Sequence, residues 1–171
     1  MEKWDLYDKN RKPLFRKHQR GKKLNAGEYH IVVQIWTVNS EGKILLTLRD
    51  SSKKDYPNKW ENSGGSVLSG ETSREGALRE LEEETGIVAK EKDLMLLGTY
   101  REPHNFFDYY LLHHDIECID LRLQVGETVD AKWVTLDELE KMIEDESLAI
   151  PIGKTYLRFK ERIQEEVRDI F

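Results

Sequence analysis

The sequence contains little cysteine, no long apolar run and no surplus of positive charge. Its single cysteine, Cys118, cannot form an internal disulfide and has no cysteine partner for a metal site. No apolar stretch approaches the roughly 20 residues of a membrane span, and the N-terminus MEKWDLYDKN is too charged for a signal peptide. The net charge of -6 disfavours non-specific binding to nucleic acid or to an anionic membrane. These absences predict a cytoplasmic protein whose partner is a small molecule.

What the sequence does contain is a charged helical segment near its middle. Residues 73–85 include no proline, and their two leucines recur at helical spacing, so this stretch is predicted to be an amphipathic helix. Thr72 is placed to act as the N-cap, and Glu75 three residues later would complete a capping box. Gly86 stands where a left-handed residue ends a helix. These signals fix the register of the helix.

Three glutamates share one face of this predicted helix. At about 100° per residue, Glu80, Glu83 and Glu84 fall within one arc, apart from the arc that holds the leucines. Like charges at these spacings repel by roughly 0.2–0.5 kcal/mol per pair, which is a net cost unless a cation lies against them. Mg²⁺ and Mn²⁺ prefer carboxylate oxygens and are commonly shared with substrate phosphates. A solvated acidic surface is the alternative interpretation of the same residues.

The spacing around the helix narrows this choice. Residues 65–87 match the pattern G-x5-E-x7-R-E-U-x-E-E-x-G-U, in which U is aliphatic. This stretch resembles the Nudix box, and the chain is identified as a member of the Nudix (MutT-like) superfamily. The resemblance implies a loop, a helix and a loop that together hold a divalent metal, Mg²⁺ or Mn²⁺, against a diphosphate.

The resemblance also implies roles for residues of the box. Glu80, Glu83 and Glu84 would bind the metal, with the backbone carbonyl of Gly65 as a further ligand. Arg79 would orient the glutamates and balance their charge. One of the box glutamates that is not fully committed to the metal would accept the proton of the attacking water.

Two later residues are further candidates. Glu127 precedes the last predicted strand and matches the late acidic residue that many Nudix enzymes use as an extra metal ligand or as the base; a plain turn glutamate is the alternative. Phe107 lies in the segment 103–109, which would place an aromatic wall near a base or an isoprenoid; a core position in a strand is the alternative.

A basic loop precedes the box. Arg49, Lys53 and Lys54 stand close together in it, and such a group suits phosphate because arginine offers a bidentate fork and lysine a mobile point charge. A solvated loop is the alternative. The series R-x3-KK-x2-P-x2-W-x-NS over residues 49–63 is similar to the same region of type I isopentenyl-diphosphate isomerases. In that branch of the superfamily the matching Arg and Lys hold the substrate diphosphate.

The similarity to the isomerases fails at two positions. It includes His30, which matches a metal-binding histidine, but this chain has Gly65 and Val67 where the isomerases have a cysteine acid and a second metal-binding histidine. A glycine cannot transfer a proton, and the Nudix box is complete here, whereas that of the isomerases is degenerate. We therefore expect metal-dependent hydrolysis of the diphosphate linkage in a nucleoside diphosphate derivative or a related organic diphosphate. An isomerase and a non-catalytic diphosphate-binding module are the alternatives.

The expected architecture is one Nudix domain over residues 1–171, an α/β/α sandwich built on a mixed sheet. An N-terminal hairpin is predicted over about 4–20. The main strands are predicted over 29–38, 43–48, 94–102, 105–114 and 131–134, and further helices over 136–145 and about 154–170. The last helix carries a core-facing apolar stripe made of Tyr156, Phe159, Ile163, Val167 and Ile170. The sequence leaves open whether the protein forms a homodimer.

Overall fold

The computed structural model describes residues 1–169. A two-stranded hairpin comes first, formed by β1 (Lys3–Tyr7) and β2 (Pro13–Gln19). The strands of the main sheet are β3 (His30–Val38), β4 (Ile44–Arg49), β5 (Trp60–Glu61), β6 (Ser63–Ser66), β7 (Leu94–Arg101), β8 (Asn105–His113) and β9 (Thr128–Val134). The α-helices in this part of the chain are α1 (Ser73–Thr85), α2 (Leu136–Glu144) and α3 (Ile150–Arg168).

Strand β3 lies at the centre of the main sheet. It pairs in parallel with β8 along its whole length, from His30 opposite Asn105 to Val38 opposite His113. It also pairs antiparallel with β6, and β8 in turn pairs antiparallel with β7. Strand β4 pairs antiparallel with both β5 and β9. The sheet is therefore mixed, as predicted.

The helices cover both faces of this sheet. Successive residues of a strand point to opposite faces, so Val33 and Ile35 of β3 pack with α1, whereas Trp36 and Val38 pack with α2 and α3. Two apolar layers result, one on each side of the sheet. The predicted α/β/α sandwich is confirmed.

Some boundaries differ from those predicted. Helix α3 begins at Ile150 rather than near residue 154, because Pro151 is well suited to the first turn of a helix. Strand β9 begins at Thr128, since pairing with β4 extends it before residue 131. Strands β5 and β6 are missing from the prediction, because their short, glycine-containing sequence has little β-propensity. Ile170 of the predicted α3 stripe lies outside the described residues. Helix α3 has the length of a membrane span, but no helix within residues 1–169 also has the apolar character that a span requires.

Helix α1 begins and ends as its sequence signals predict. The Thr72 hydroxyl accepts a hydrogen bond from the N–H of Glu75, and the Glu75 carboxylate accepts one from the N–H of Thr72 at 2.7 Å. Gly86 ends the helix with φ 76°, and its N–H donates to the Glu82 carbonyl at 2.8 Å. Leu81 is fully buried on the sheet side. Glu80, Glu83 and Glu84 occupy the adjacent face of the helix.

The N-terminal hairpin is fastened to the sheet by a buried ion pair. Arg11, near the hairpin turn, donates to both carboxylate oxygens of Asp108 on β8 at 2.7 and 2.5 Å. Asp108 is only 2% exposed and also accepts hydrogen bonds from Thr99 at 2.6 Å and from Ser73, the first residue of α1. Burial alone would raise the pKa of Asp108, but the hydrogen bonds from Arg11, Ser73 and Thr99 outweigh it, so the pKa lies below its usual value. One carboxylate thus joins the hairpin, the sheet and α1.

Replacing Asp108 by asparagine is expected to lower the free energy of unfolding at pH 7 by about 2–4 kcal/mol, because Arg11 loses its buried partner. A lowered pKa in the folded state stabilises the protein above the pKa of the unfolded chain, and this stabilisation is lost as the pH falls through the folded value. The difference between wild type and variant should therefore shrink below about pH 4. Urea unfolding at pH 7 and pH 3 measures it. The exposed Asp120→Asn is the matched control, and equal stabilities at pH 7 would contradict the assignment.

Candidate active site

Arg79 organises the loop that leads into α1. It donates to Glu71 at 2.6 Å, to Glu80 at 2.8 Å, to Glu83 at 3.3 Å and to the Ser66 carbonyl at 3.0 Å. Burial alone would lower the pKa of Arg79, but the surrounding carboxylates raise it above its usual value. A permanently charged arginine therefore fixes the glutamates of the helix relative to the loop.

Gly65 is a glycine because the Glu80 carboxylate lies against it. A Cβ added at Gly65 would stand 2.3 Å from Cδ of Glu80 and 2.4 Å from both carboxylate oxygens. The backbone of Gly65 is not in the left-handed region, so lack of space, and not conformational freedom, requires glycine here. The loop and the helix meet at this point.

Glu84 lies one helical turn further along and is held by the loop as well. The N–H of Gly64 donates to Glu84 Oε2 at 3.2 Å. Burial, together with the nearby charges of Glu61 and Glu80, raises the pKa of Glu84 well above its usual value. Negative charge therefore accumulates where α1 meets the two glycines.

The three glutamates of the predicted metal site are adjacent but do not converge on one point. Glu80 and Glu83 turn toward Arg79, whereas Glu84 turns toward Gly64. Within residues 1–169 no three carboxylate, imidazole or thiol groups are close enough to surround an ion. The ion pairs with Arg79 account for this arrangement.

Glu61 is a residue of this cluster that the sequence interpretation misses. Nη1 of Arg49 donates to both of its carboxylate oxygens, at 2.8 and 2.9 Å. Burial nevertheless raises the pKa of Glu61, and the charge of Glu127 adds to that effect. No local signal marked this residue, because Glu61 reaches the cluster through the pairing of β5 with β4.

The basic loop is tied to the late acidic residue. Lys53 forms an ion pair with Glu127, and the N–H of Asp50 donates to the Glu127 carbonyl at 2.9 Å. Arg49 also donates through Nε to the Asp55 carbonyl at 3.0 Å. Lys54 is exposed on the same loop. The fold thus brings Arg49, Lys53 and Glu127 together, beside the cluster that contains Glu61.

Phe107 lies on the other face of the sheet, in a cavity of about 370 Å³ between the sheet and α3. Its ring stacks with Tyr109 at 5.9 Å between centroids and an interplanar angle of 13°. The cavity wall also includes Lys154, Thr155 and Arg158 of α3. Phe107 therefore faces a cavity and not only the apolar core.

His30 is stacked beneath the N-terminal hairpin. Its ring lies 3.9 Å from that of Trp4 with an interplanar angle of 10°, and it is 6% exposed. Burial lowers the pKa of His30 to about 4, so the imidazole is neutral near pH 7. This position fits a packing role for the residue that the isomerase resemblance aligns with a metal ligand.

Known proteins are similar to this chain in sequence. The family model for the NUDIX domain matches residues 28–155. A Nudix hydrolase of Listeria monocytogenes is 38% identical over 143 residues, which cover 83% of this chain and 85% of that protein. An isopentenyl-diphosphate delta-isomerase of Candida albicans is 27% identical over 73% of this chain and 57% of its own length.

Solved structures are similar in fold. A protein from Deinococcus radiodurans matches with a TM-score of 0.76 at 22% identity, covering 92% of this chain and 99% of that one. The NUDIX domain of Shewanella oneidensis NrtR, crystallised with ADP-ribose, matches with a TM-score of 0.64 at 20% identity, covering 85% of this chain and 93% of that one. At these identities the structures establish the fold alone.

The sandwich fold, the acidic loop-helix-loop and these similarities together define a hydrolase. The chain belongs to the Nudix family. The prediction of a Nudix enzyme from residues 65–87 is thereby confirmed. The resemblance to the isomerase branch has the weaker support of the 27% match.

Proposed function

We propose that the protein hydrolyses the diphosphate linkage of a nucleoside diphosphate derivative with the help of Mg²⁺ or Mn²⁺. Nudix hydrolases generally need a divalent metal ion. The observation that carries the proposal is the excess of carboxylates around the Gly65 loop. Two guanidinium groups, Arg49 and Arg79, face five carboxylates: Glu61, Glu71, Glu80, Glu83 and Glu84.

The residues present fit such an ion. All the donors are oxygens, as hard divalent cations prefer. The pKa of Glu84 is raised first by burial and then by the nearby charges of Glu61 and Glu80, so further carboxylates lie close to it. Glu80, Glu83 and Glu84 would hold the metal together with the carbonyl of Gly65. When bound, the metal would polarise a phosphoryl oxygen and lower the pKa of a water molecule.

The protein's own residues perform the remaining tasks. Arg79 orients the glutamates through the hydrogen bonds described above. Arg49 uses Nη1 for Glu61 and Nε for a backbone carbonyl, which leaves Nη2 to donate to a phosphate oxygen. Lys53 would exchange Glu127 for a second phosphate oxygen. The carboxylate that accepts the proton of the attacking water is either Glu127, freed by this exchange, or a box glutamate that does not bind the metal.

The cavity beside Phe107 favours a nucleoside over an isoprenoid as the organic group. Its walls combine aromatic rings with the amide of Asn105 and the cations Lys154 and Arg158. Such a lining suits a stacked base with polar edges and a ribose, whereas an isoprenoid chain would leave the polar groups unpaired. The NrtR domain from Shewanella oneidensis binds ADP-ribose, a ligand of this chemical class.

The two positions at which this chain differs from the isomerases, Gly65 and Val67, argue against the isomerase alternative. Val67 is 4% exposed and packs in the apolar layer beneath α1, so a histidine at this position would be buried in the core. At Gly65 the Glu80 carboxylate occupies the place where a cysteine side chain would begin, so a cysteine there would displace a proposed metal ligand. At neither position does this chain carry a group that could take the isomerase's catalytic role.

A substrate panel tests the proposal. Nucleoside diphosphate derivatives and isopentenyl diphosphate are incubated with the protein and Mg²⁺ or Mn²⁺, and the products are resolved by ion-exchange chromatography. We expect hydrolysis of at least one nucleotide, loss of that activity with a chelator, and its return when the metal is restored. Formation of dimethylallyl diphosphate without hydrolysis would establish an isomerase, and nucleotide binding without turnover would establish a binding module.

Replacing Lys53 by alanine is expected to raise the Michaelis constant about tenfold, because the substrate loses one charge-assisted hydrogen bond. The melting temperature should change little, since the Lys53–Glu127 pair is partly exposed and such pairs contribute about 0–1 kcal/mol. Arg49→Ala should raise the Michaelis constant and also lower the melting temperature, because it leaves Glu61, 17% exposed, without its partner. Steady-state kinetics and thermal unfolding measure both. An unaltered Michaelis constant for Lys53→Ala would show that this loop is solvated and does not bind the substrate.

A further inference from the structure

The N-terminal hairpin contacts the loop of the Nudix box. This loop makes a turn over residues 68–71, between β6 and α1, and Gly70 in the turn has φ 91°, a conformation that favours glycine. The N–H of Ser69 donates to the carbonyl of Lys3 on β1 at 2.8 Å. The hairpin precedes residues 28–155, which carry the family match, so the box is contacted by a part of the chain outside that range.

Asp5 of β1 holds this turn with both of its carboxylate oxygens. Oδ1 accepts a hydrogen bond from the Ser69 hydroxyl at 2.7 Å, and Oδ2 accepts one from the N–H of Gly70 at 2.8 Å. Within residues 1–169, all the hydrogen bonds that Ser69 and Gly70 donate go to β1. Hydrogen bonds to a charged acceptor are roughly twice as strong as those between neutral groups. Asp5 is thus the side chain that fastens both central residues of the turn.

The turn is connected to Arg79 through Glu71. The N–H of Leu68 donates to Glu71 Oε2 at 2.9 Å, so the Glu71 carboxylate closes the turn. The same carboxylate accepts two hydrogen bonds from Arg79, at 2.6 and 3.1 Å. Arg79 in turn donates to Glu80 at 2.8 Å. A shift of the turn would therefore move Glu71 and, through Arg79, a glutamate that is proposed to bind the metal.

We infer that Asp5 is a positioning residue for the proposed metal site, acting on it through the turn and through Arg79. This inference rests on the proposed function, and it adds the N-terminal hairpin to the parts of the chain that the reaction needs. Residues that orient metal ligands without touching the metal typically change metal affinity or activity about 10–100-fold when they are replaced. A carboxylate suits this task because its two oxygens accept from two donors at once.

Asp5→Ala tests the inference through Mn²⁺ affinity, which is measured without substrate. Titration followed by electron paramagnetic resonance should give a dissociation constant about tenfold above that of the wild type, because the glutamates are held less firmly. With saturating Mn²⁺, kcat should fall about tenfold and KM should change little, since Asp5 is not part of the wall of the cavity beside Phe107. In the metal-free protein the amide of Gly70 should exchange its hydrogen faster, because it loses its acceptor.

Two milder variants approach the same contact from both sides, and they carry the test if Asp5→Ala does not fold. Asp5→Asn keeps one acceptor oxygen, and Ser69→Ala removes one donor without altering the hairpin. Each loses one of the two hydrogen bonds, so each should raise the Mn²⁺ dissociation constant about threefold. Asp5→Ala combined with Ser69→Ala should bind Mn²⁺ no more weakly than Asp5→Ala alone, because the Ser69 hydroxyl then has no partner to lose. Effects that multiplied instead would overturn the connection through the turn.

Asp8→Ala is the matched control, because Asp8 lies in the same hairpin and accepts hydrogen bonds from two backbone N–H groups, those of Asn10 and Lys12, at 2.8 and 2.9 Å. It should lower the melting temperature about as much as Asp5→Ala does, and it should keep the Mn²⁺ affinity and kcat of the wild type. If Asp5→Ala likewise lowered only the melting temperature, Asp5 would do no more than fasten the hairpin, and the inference would be overturned. A wild-type protein that neither binds Mn²⁺ nor hydrolyses a nucleotide would overturn the proposed function and this inference with it.

Discussion

Replacing Gly65 by alanine is expected to lower kcat/KM about 100-fold while leaving the fold intact. The added methyl group would stand 2.3 Å from the Glu80 carboxyl carbon, so the carboxylate has to move. It is the far end of a flexible side chain and can move without disturbing the core, and Gly65 has a backbone conformation that alanine accepts. Displacement of a catalytic or metal-binding group by about 1 Å typically costs such a factor. Steady-state kinetics and the melting temperature test the expectation.

Gly64→Ala provides the contrasting control. A Cβ at Gly64 would stand 2.4 Å from the carbonyl oxygen of Val33, which belongs to the backbone of the central strand β3. Because a strand cannot shift as a side chain can, this variant should lose about 1–3 kcal/mol of folding stability. If Gly65→Ala retained wild-type activity, or lost stability as Gly64→Ala should, the contact with Glu80 would have no role in the reaction.

The organising helix could be predicted from sequence because its determinants are local. The capping box of Thr72 and Glu75, the left-handed Gly86 and the spacing of the glutamates all lie within fifteen residues, and the structure contains each of them. Arg79 was assigned its orienting role only through the family resemblance. The structure supplies the contacts behind that assignment, four acceptor groups around one guanidinium.

The parts that escaped prediction depend on contacts between distant residues. Glu61 belongs to the acidic cluster because β5 pairs with β4 and brings it to Arg49. Neither the strand pairing nor the ion pair can be recognised in the short segment 60–66, which contains two glycines. Residues that reach the site through sheet pairing thus cannot be identified from the sequence alone, whereas the residues of the helix can.

The same distinction explains why the motif does not name a substrate. The residues of the box surround the diphosphate end of the proposed site, whereas the cavity is built from β3, β8 and α3, which are far apart in sequence. Phe107 was placed near the organic group from its aromatic neighbours alone. The cations Lys154 and Arg158 enter the same cavity only because α3 packs across the sheet.

Glu84→Gln is expected to have opposite effects on folding and on catalysis. The change removes a charge with little change in volume, and the amide oxygen can still accept the hydrogen bond from the N–H of Gly64. Without metal the variant should be no less stable than the wild type, and more stable by about 0.5 kcal/mol, because the repulsion from Glu61 and Glu80 is relieved. With metal, turnover should fall about 100-fold or more, a typical scale for the loss of a metal ligand or catalytic carboxylate.

Glu82→Gln is the matched control for this prediction, because Glu82 lies on the same helix but is exposed and outside the acidic arc. It should leave activity and Mn²⁺ affinity at wild-type levels. Urea unfolding in chelator, Mn²⁺ titration followed by electron paramagnetic resonance, and steady-state kinetics separate the three quantities. A metal ligand held against its neighbours' repulsion gains stability and loses Mn²⁺ affinity when neutralised, whereas a structural carboxylate does the reverse. Unfolding of the metal-free Glu84→Gln protein, or Mn²⁺ binding and hydrolysis at wild-type levels, would therefore remove Glu84 from the metal site.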